Sequence, residues 1–189
     1  RRPPRSTLFP YTTLFRSLRA IHPLGKSPVV TDNGNTIAES GAILEYIIAT
    51  YGNGRLIPPA DTPERLRYTY WLHYAEGSAM TPLLLKLLFT LMPKRAPALL
   101  RPLVRKVSNT ALSTLVNPQL KQHMAYWEGE LGKSEWFAGN DFSGADIQMS
   151  FPLEAAAARG GLEDGHPRCV AFLERIHARP AYEIGRAHV

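Results

Sequence analysis

Between residues 26 and 51 the hydrophobic period changes from strand-like to helical, and this switch constrains the chain more than any other feature. Lys26-Ser27-Pro28-Val29-Val30 leads into Thr31-Asp32-Asn33-Gly34-Asn35. An Asn-Gly pair readily takes the positive φ angles that a two-residue hairpin turn requires. Val29 to Thr31 is therefore expected as a short strand, with Thr36 to Ala38 as its antiparallel partner. Ile43, Leu44, Ile47, Ile48 and Tyr51 then recur at helical spacing, so a helix should begin at Glu39 or Ser40 and end at Gly52. Glu39 and Ser40 thereby fall at a helix N-terminus, where free N–H groups and the helix dipole favour a carboxylate. Ser27 precedes a proline, which biases it to extended backbone with its N–H and C=O available to a ligand. Taken singly, each residue is an ordinary cap or turn; the ordered set is what points to function.

A second signal lies far downstream. In Phe142-Ser143-Gly144-Ala145-Asp146-Ile147, a capping hydroxyl is followed three residues later by an acid, with Phe142 and Ile147 placed as a hydrophobic staple. A helix end built this way satisfies two otherwise free N–H groups, so Ser143 and Asp146 are expected to be structural.

Taken together, Lys-Ser-Pro-Val, a hairpin, Glu-Ser-Gly-Ala-Ile-Leu and the later Ser-x-x-Asp box resemble the cytosolic glutathione S-transferases, in particular their bacterial and fungal subgroup. The resemblance covers about residues 18–182. It implies a two-domain α+β/all-α architecture: an incomplete thioredoxin-like N-terminal domain, then an all-helical C-terminal domain. It also implies a cis peptide at Pro28, with the Ser27 backbone pairing with the cysteinyl part of glutathione. Glu39 and Ser40 would hold the γ-glutamyl end, and Lys26 would lie near the glycyl carboxylate. The run Tyr74-Ala75-Glu76-Gly77-Ser78 resembles the first helix of the family's C-terminal domain, which lines the site for a hydrophobic electrophile. Tyr74, Met80 and Leu84 are the expected lining residues. The implied protein is a cytoplasmic homodimer that conjugates glutathione to small hydrophobic electrophiles. The alternative is a non-catalytic module of the same fold that binds or regulates partners.

Bulk properties exclude several other classes. The 189 residues are 44% hydrophobic, enough for a sizeable core. A single cysteine, Cys169, rules out an internal disulfide and fits a reducing compartment. Cys169 is expected to be a small buried residue rather than a nucleophile. Scattered histidines and one cysteine give no metal-ligand spacing, so no metal is expected. No window approaches the ~20 apolar residues of a membrane span, and no membrane partner is expected. The net charge of +6 raises a nucleic-acid hypothesis, but residues 1–20 hold five arginines and no acid. Without them, 17 bases stand against 16 acids, and a nucleic-acid partner is not expected.

Those first residues contain a near-repeat of Thr-Leu-Phe and resemble translated adapter sequence. Residues 1–17 are therefore set apart as foreign to the fold, and residues 183–189 likewise. Residues 18–51 form the partial glutathione-binding domain, and on this reading the residue that steadies the thiolate is absent. Residues 52–61, rich in Gly and Pro, are the expected linker. Residues 62–182 make the helical domain, opened by Thr62-Pro63-Glu64. Along its first helix Leu66, Tyr70, Tyr74 and Gly77 recur at helical spacing. Pro82 is expected to kink or break that helix. Leu83 to Met92 reads as a buried or interfacial helix. The acid-free, proline-interrupted stretch 93–106 reads as a solvated connection. Leu120, Met124, Trp127 and Leu131 form one buried stripe. Gly160-Gly161 should end the helix after the capping box, and Val170, Leu173 and Ile176 mark the next one.

Overall fold

The computed structural model describes residues 18–162 and 165–187. The segment 1–17, set apart above, lies outside them. The chain divides into two compact units, with the boundary between Asn53 and Gly54.

In the first unit, residues 18–21 make a helical turn that leads to a cis Ser27–Pro28 peptide. Strand β1 (Val29–Asp32) pairs antiparallel with β2 (Asn35–Ala38), in the register Val29↔Ala38 to Asp32↔Asn35. Asn33 and Gly34 turn the corner at φ 48° and 80°, both positive as the sequence requires. Helix α1 (Ser40–Tyr51) follows at once. Its buried residues are Ile43 and Ile48, whereas Ile47 and Tyr51 are 43% and 51% exposed, so the apolar face is narrower than its spacing implied. Tyr51 uses its hydroxyl instead: it donates to Asp32 Oδ2, which also accepts from the Tyr46 hydroxyl at 2.8 Å. These two bonds tie α1 to the hairpin. They hold the Asp32 carboxyl below its usual range and push both phenols above theirs.

The second unit begins with turns in which Leu56 and Asp61 take φ 64° and 61°. Helix α2 (Pro63–Tyr74) starts as its sequence dictates: Thr62 Oγ1 accepts the Arg65 N–H at 3.2 Å, with Pro63 in the first turn. Its buried face is Tyr68, Trp71 and Leu72; Leu66 and Tyr70, though in helical phase, stay 75% and 46% exposed.

Pro82 does not break the helix. A π-helical turn (Ala75–Ala79) joins α2 to α3 (Met80–Arg95), and the Met80 N–H reaches the Ala75 carbonyl. The proline ring would collide with the carbonyl four residues earlier, at Ser78, and the widened turn removes that collision. The same device recurs at Pro118. There α4 (Arg101–Ala111) passes through a second π-helical turn (Leu112–Val116) into α5 (Asn117–Glu130). The stretch 93–106 is correspondingly not a solvated connection throughout. Pro93 sits in the last turn of α3 and Pro102 in the first turn of α4, so only residues 96–100 link them.

Leu120, Met124, Trp127 and Leu131 are buried as the stripe predicted. Residues 136–139 close a tight loop, the Trp136 N–H meeting the Gly139 carbonyl at 2.8 Å. Helix α6 (Gly144–Gly160) buries Ala145, Met149, Leu153 and Ala156, and it ends at Gly161 with φ 73°, where a side chain would be strained. Helices α7 (Pro167–His177) and α8 (Pro180–Ala187) complete the unit, so part of the stretch set apart at 183–189 continues a helix. The core is aromatic: Phe137 lies 4.6 Å from Trp71 and 5.1 Å from Phe172, ring centre to ring centre. Glu128 of α5 accepts the Arg168 and Cys169 N–H groups at 3.0 Å, capping α7 from a neighbouring helix.

Candidate functional site

The hairpin register brings the first unit's candidate residues together. Val29 and Ala38 are the outermost pair, so Pro28, which precedes the one, and Glu39, which follows the other, both flank the open end of the hairpin. The cis peptide and the helix start thus share the open end of the hairpin. Lys26, Ser27, Pro28 and Glu39 are exposed, and Ser40 is half-buried.

Glu39 is the unusual member. It takes φ 74° and ψ 124°, a conformation that costs a residue with a side chain about 1–3 kcal/mol. It is not a conventional cap, because its carboxylate makes no capping hydrogen bond. Its backbone carbonyl instead accepts the Ile43 N–H at 2.9 Å, closing the first turn of α1. The N–H groups at the start of α1 have no carbonyl ahead of them in the helix. An exposed carboxylate and a helix N-terminus therefore face the same opening. This pairing suits a ligand that carries an ammonium and a carboxylate on one carbon.

The residues expected to line a second pocket are placed differently. Tyr74 is half-buried, and its hydroxyl is engaged twice: it accepts from Trp127 Nε1 at 3.2 Å and meets His123 Nδ1. Burial pushes its phenol up to about 12 and pushes His123 down. Met80 is half-buried and Leu84 is 52% exposed. None of the three lines the cavity of about 550 Å³ that runs from Gly54 to Glu64 along residues 138–143. They are also absent from the cleft of about 440 Å³ between α3 and α4.

Tyr74 belongs instead to an aromatic cluster with Tyr70, Trp71, His123, Tyr126 and Trp127. His123 was missed in the sequence. The signal was present: His123, Tyr126 and Trp127 share a face at spacings of three and four, as Tyr70 and Tyr74 do on α2.

Ser143 and Asp146 form the expected capping box and are buried. Asp146 Oδ2 accepts the Ser143 N–H and hydroxyl, each at 2.9 Å, and Oδ1 accepts the Phe137 N–H at 2.8 Å. The carboxylate thereby ties the start of α6 to the tight loop before it. Phe142 packs edge-on against Trp136 and lies under the Arg179 guanidinium at 3.6 Å, and Ile147 is 39% exposed. Cys169 is buried, and burial together with Glu128 pushes its thiol far up, which makes it a packing residue.

Comparison with known proteins agrees with both halves. Residues 12–49 match the glutathione S-transferase N-terminal domain family and residues 91–180 the C-terminal domain family. Glutathione S-transferase 3 of Schizosaccharomyces pombe is 31% identical over 169 residues, covering 89% of this chain and 70% of that one. A glutathione S-transferase from Actinobacillus pleuropneumoniae superposes with a TM-score of 0.69 at 26% identity, covering 92% of this chain and 73% of that one. The sphingomonad glutathione S-transferase complexed with glutathione gives a TM-score of 0.65 at 27% identity, covering 88% of this chain and 75% of that one. The small sheet of the first unit is part of a thioredoxin-like domain, the second unit is the helical domain, and the chain belongs to the glutathione S-transferase family.

Proposed function

We propose that this glutathione transferase binds the tripeptide at the open end of its hairpin. The γ-glutamyl carboxylate lies against the first N–H groups of α1 at Ser40, and Glu39 engages the α-ammonium. The cysteinyl portion runs along the backbone of Ser27 beside the cis peptide, and Lys26 lies near the glycyl carboxylate. The observation that carries this reading is Glu39, an exposed residue held at φ 74° at the same end of the hairpin as Pro28. A strained acidic residue whose side chain makes no capping bond is better explained by a ligand than by the helix it precedes.

Bound this way, glutathione is oriented at both ends, so its thiolate meets the second substrate in an effectively unimolecular step. The sulfur forms a bond to the electrophilic carbon, and the displaced group leaves with the electron pair. We assign no described residue to the thiolate. The electrophile is small and hydrophobic, held by the helical unit, with Tyr74, Met80 and Leu84 as candidate contacts. The single cysteine supports a reducing, cytoplasmic setting, and the family resemblance supports a homodimer.

Calorimetric titration of glutathione into the parent, Glu39→Ala and Ser40→Ala tests the site. Loss of Glu39 leaves a ligand ammonium unpaired, which costs about 1–3 kcal/mol, or roughly 5- to 150-fold in affinity. Equal affinity in the Glu39 variant refutes the placement. Saturable turnover of a chlorinated aromatic electrophile excludes a purely non-catalytic module.

A further inference from the structure

The cavity of about 550 Å³ takes no part in the site at the hairpin. It lies wholly within the second unit, and none of the candidate glutathione or electrophile contacts lines it. One wall is the run of turns from Gly54 to the start of α2; the other is the loop from Ala138 to the cap of α6. The Leu56 carbonyl accepts the Gly144 N–H at 2.8 Å and so ties the two walls together. Within the first wall, Thr62 Oγ1 donates to the Pro59 carbonyl at 2.8 Å and the Arg65 guanidinium to the Pro58 carbonyl at 2.6 Å. The volume falls in the range of small-molecule sites, roughly 300–1,000 Å³.

Leu56, Ile57, Pro58 and Phe142 give the cavity an apolar lining. Phe142 accepts a cation on its ring, the Arg179 guanidinium at 3.6 Å from the ring centre. The charged lining is of one sign. Glu64 and Asp141 are exposed, neither forms an ion pair among the described residues, and no Lys, Arg or His lines the cavity. Asn140 adds an exposed amide beside Asp141. The starts of α2 and α6 oppose this sign, each worth about half a positive charge. Their donors are spent, however. The Gly144 N–H goes to Leu56, the Arg65 N–H to Thr62 Oγ1 at 3.2 Å and the Asp146 N–H to Ser143. Two full carboxylate charges outweigh two half charges whose N–H groups are committed elsewhere.

We propose that this cavity is a second binding site, distinct from that for glutathione, and that it takes a small organic cation: a protonated amine on an aromatic or aliphatic body. The body packs on the apolar lining, the ammonium is drawn to Glu64 and Asp141, and the Asn140 carbonyl oxygen is a further acceptor. Gly139 sets how near one carboxylate comes. A Cβ at this position would meet Glu64 Cγ at 3.0 Å, tighter than ordinary van der Waals contact, so a larger residue would push the Glu64 side chain aside. An organic anion is a poor occupant because it meets two carboxylates and no base. Glutathione, with two carboxylates and one ammonium, is excluded on the same ground. Both acids are exposed, so each strengthens binding of the cation by up to about fivefold, and added salt weakens it.

The test is calorimetric titration of the full chain with three probes that differ only at one end: 3-phenylpropylamine, 3-phenylpropan-1-ol and 3-phenylpropionate. Two variants accompany the parent: Glu64→Gln/Asp141→Asn, which removes the charges, and Asn140→Trp, which adds bulk to the wall from an exposed position. Circular dichroism and glutathione affinity verify that each is folded. The expected order of affinity in the parent is amine, then alcohol, then propionate, with the amine weakened by salt. The charge variant should weaken the amine about tenfold and bring it level with the alcohol. The tryptophan variant should weaken amine and alcohol alike. Equal affinity of the parent for amine and propionate overturns the proposal, as does amine binding that both variants retain. Competition between glutathione and the amine also overturns it, because the amine then occupies the glutathione site; Glu39→Ala, which tests that site, should leave amine binding unchanged.

Discussion

Replacing Asp146 by Ala probes the link between the capping box and the core. The side chain is fully buried and accepts three hydrogen bonds, from the Phe137 N–H, the Ser143 N–H and the Ser143 hydroxyl. The serine hydroxyl can turn to another acceptor, but the two backbone donors cannot leave. Each stranded buried donor costs about 1–3 kcal/mol, so the lost bonds alone amount to about 2–6 kcal/mol. An opposing effect depends on pH. Burial raises the Asp146 carboxyl from 3.8 to about 6 against the pull of its three donors, which corresponds to about 3 kcal/mol. Because the folded value lies above the unfolded one, this contribution is fully present below pH 3.8 and is lost as pH rises through 6. The alanine variant lacks it. The stability gap between parent and variant should therefore be larger at pH 4.5 than at pH 7.5, by about 2 kcal/mol. Urea denaturation followed by circular dichroism at both pH values measures the gap as a shift in midpoint at constant slope. The glutathione affinity of the folded variant should match the parent's. A variant whose midpoint equals the parent's at both pH values would show that the carboxylate does not hold the loop to α6.

Ser143→Ala should lower stability by about 1 kcal/mol, read from the same transitions, since the Asp146 carboxylate keeps its two backbone donors. Glu128→Ala should cost about 1–2 kcal/mol by uncapping α7, with amide exchange at Arg168 and Cys169 faster than in the parent. The Cys169 thiol should resist a disulfide reagent at pH 8 until denaturant is added; prompt labelling would contradict its burial. His123, pushed below 6.5 by burial, should lower stability as pH falls beneath 6.5, and a His123→Phe variant should flatten that limb of the profile.

Local chemistry made parts of this protein readable in advance. The Asn33-Gly34 turn, the start of α1 after Ala38, the Thr62-Pro63 cap, the Leu120–Leu131 stripe and the Ser143–Asp146 box each depend on residues within about one or two turns of each other. Side-chain period and backbone φ preference decide such features without help from the rest of the chain. The cis peptide at Pro28 was reached through resemblance, and the register Val29↔Ala38 brings Pro28 and Glu39 to the same end of the hairpin.

Other features were decided by packing. Whether Pro82 and Pro118 would break a helix depended on whether neighbouring helices favoured a continuous rod with a widened turn, an energy no local window contains. Tyr70 and Leu66 share a helical phase but face solvent, because the core took Tyr68 and Trp71. The Tyr74 hydroxyl met His123 and Trp127, some fifty residues away, and that contact rather than the type of residue defines its surroundings. Charge is the sharpest case. The sequence by itself determined a net close to zero beyond residue 20, but only the folding back of α3 on α4 gathered the acid-free stretch 93–106 onto one tip. A sum over residues carries no position, and electrostatic attraction falls with distance.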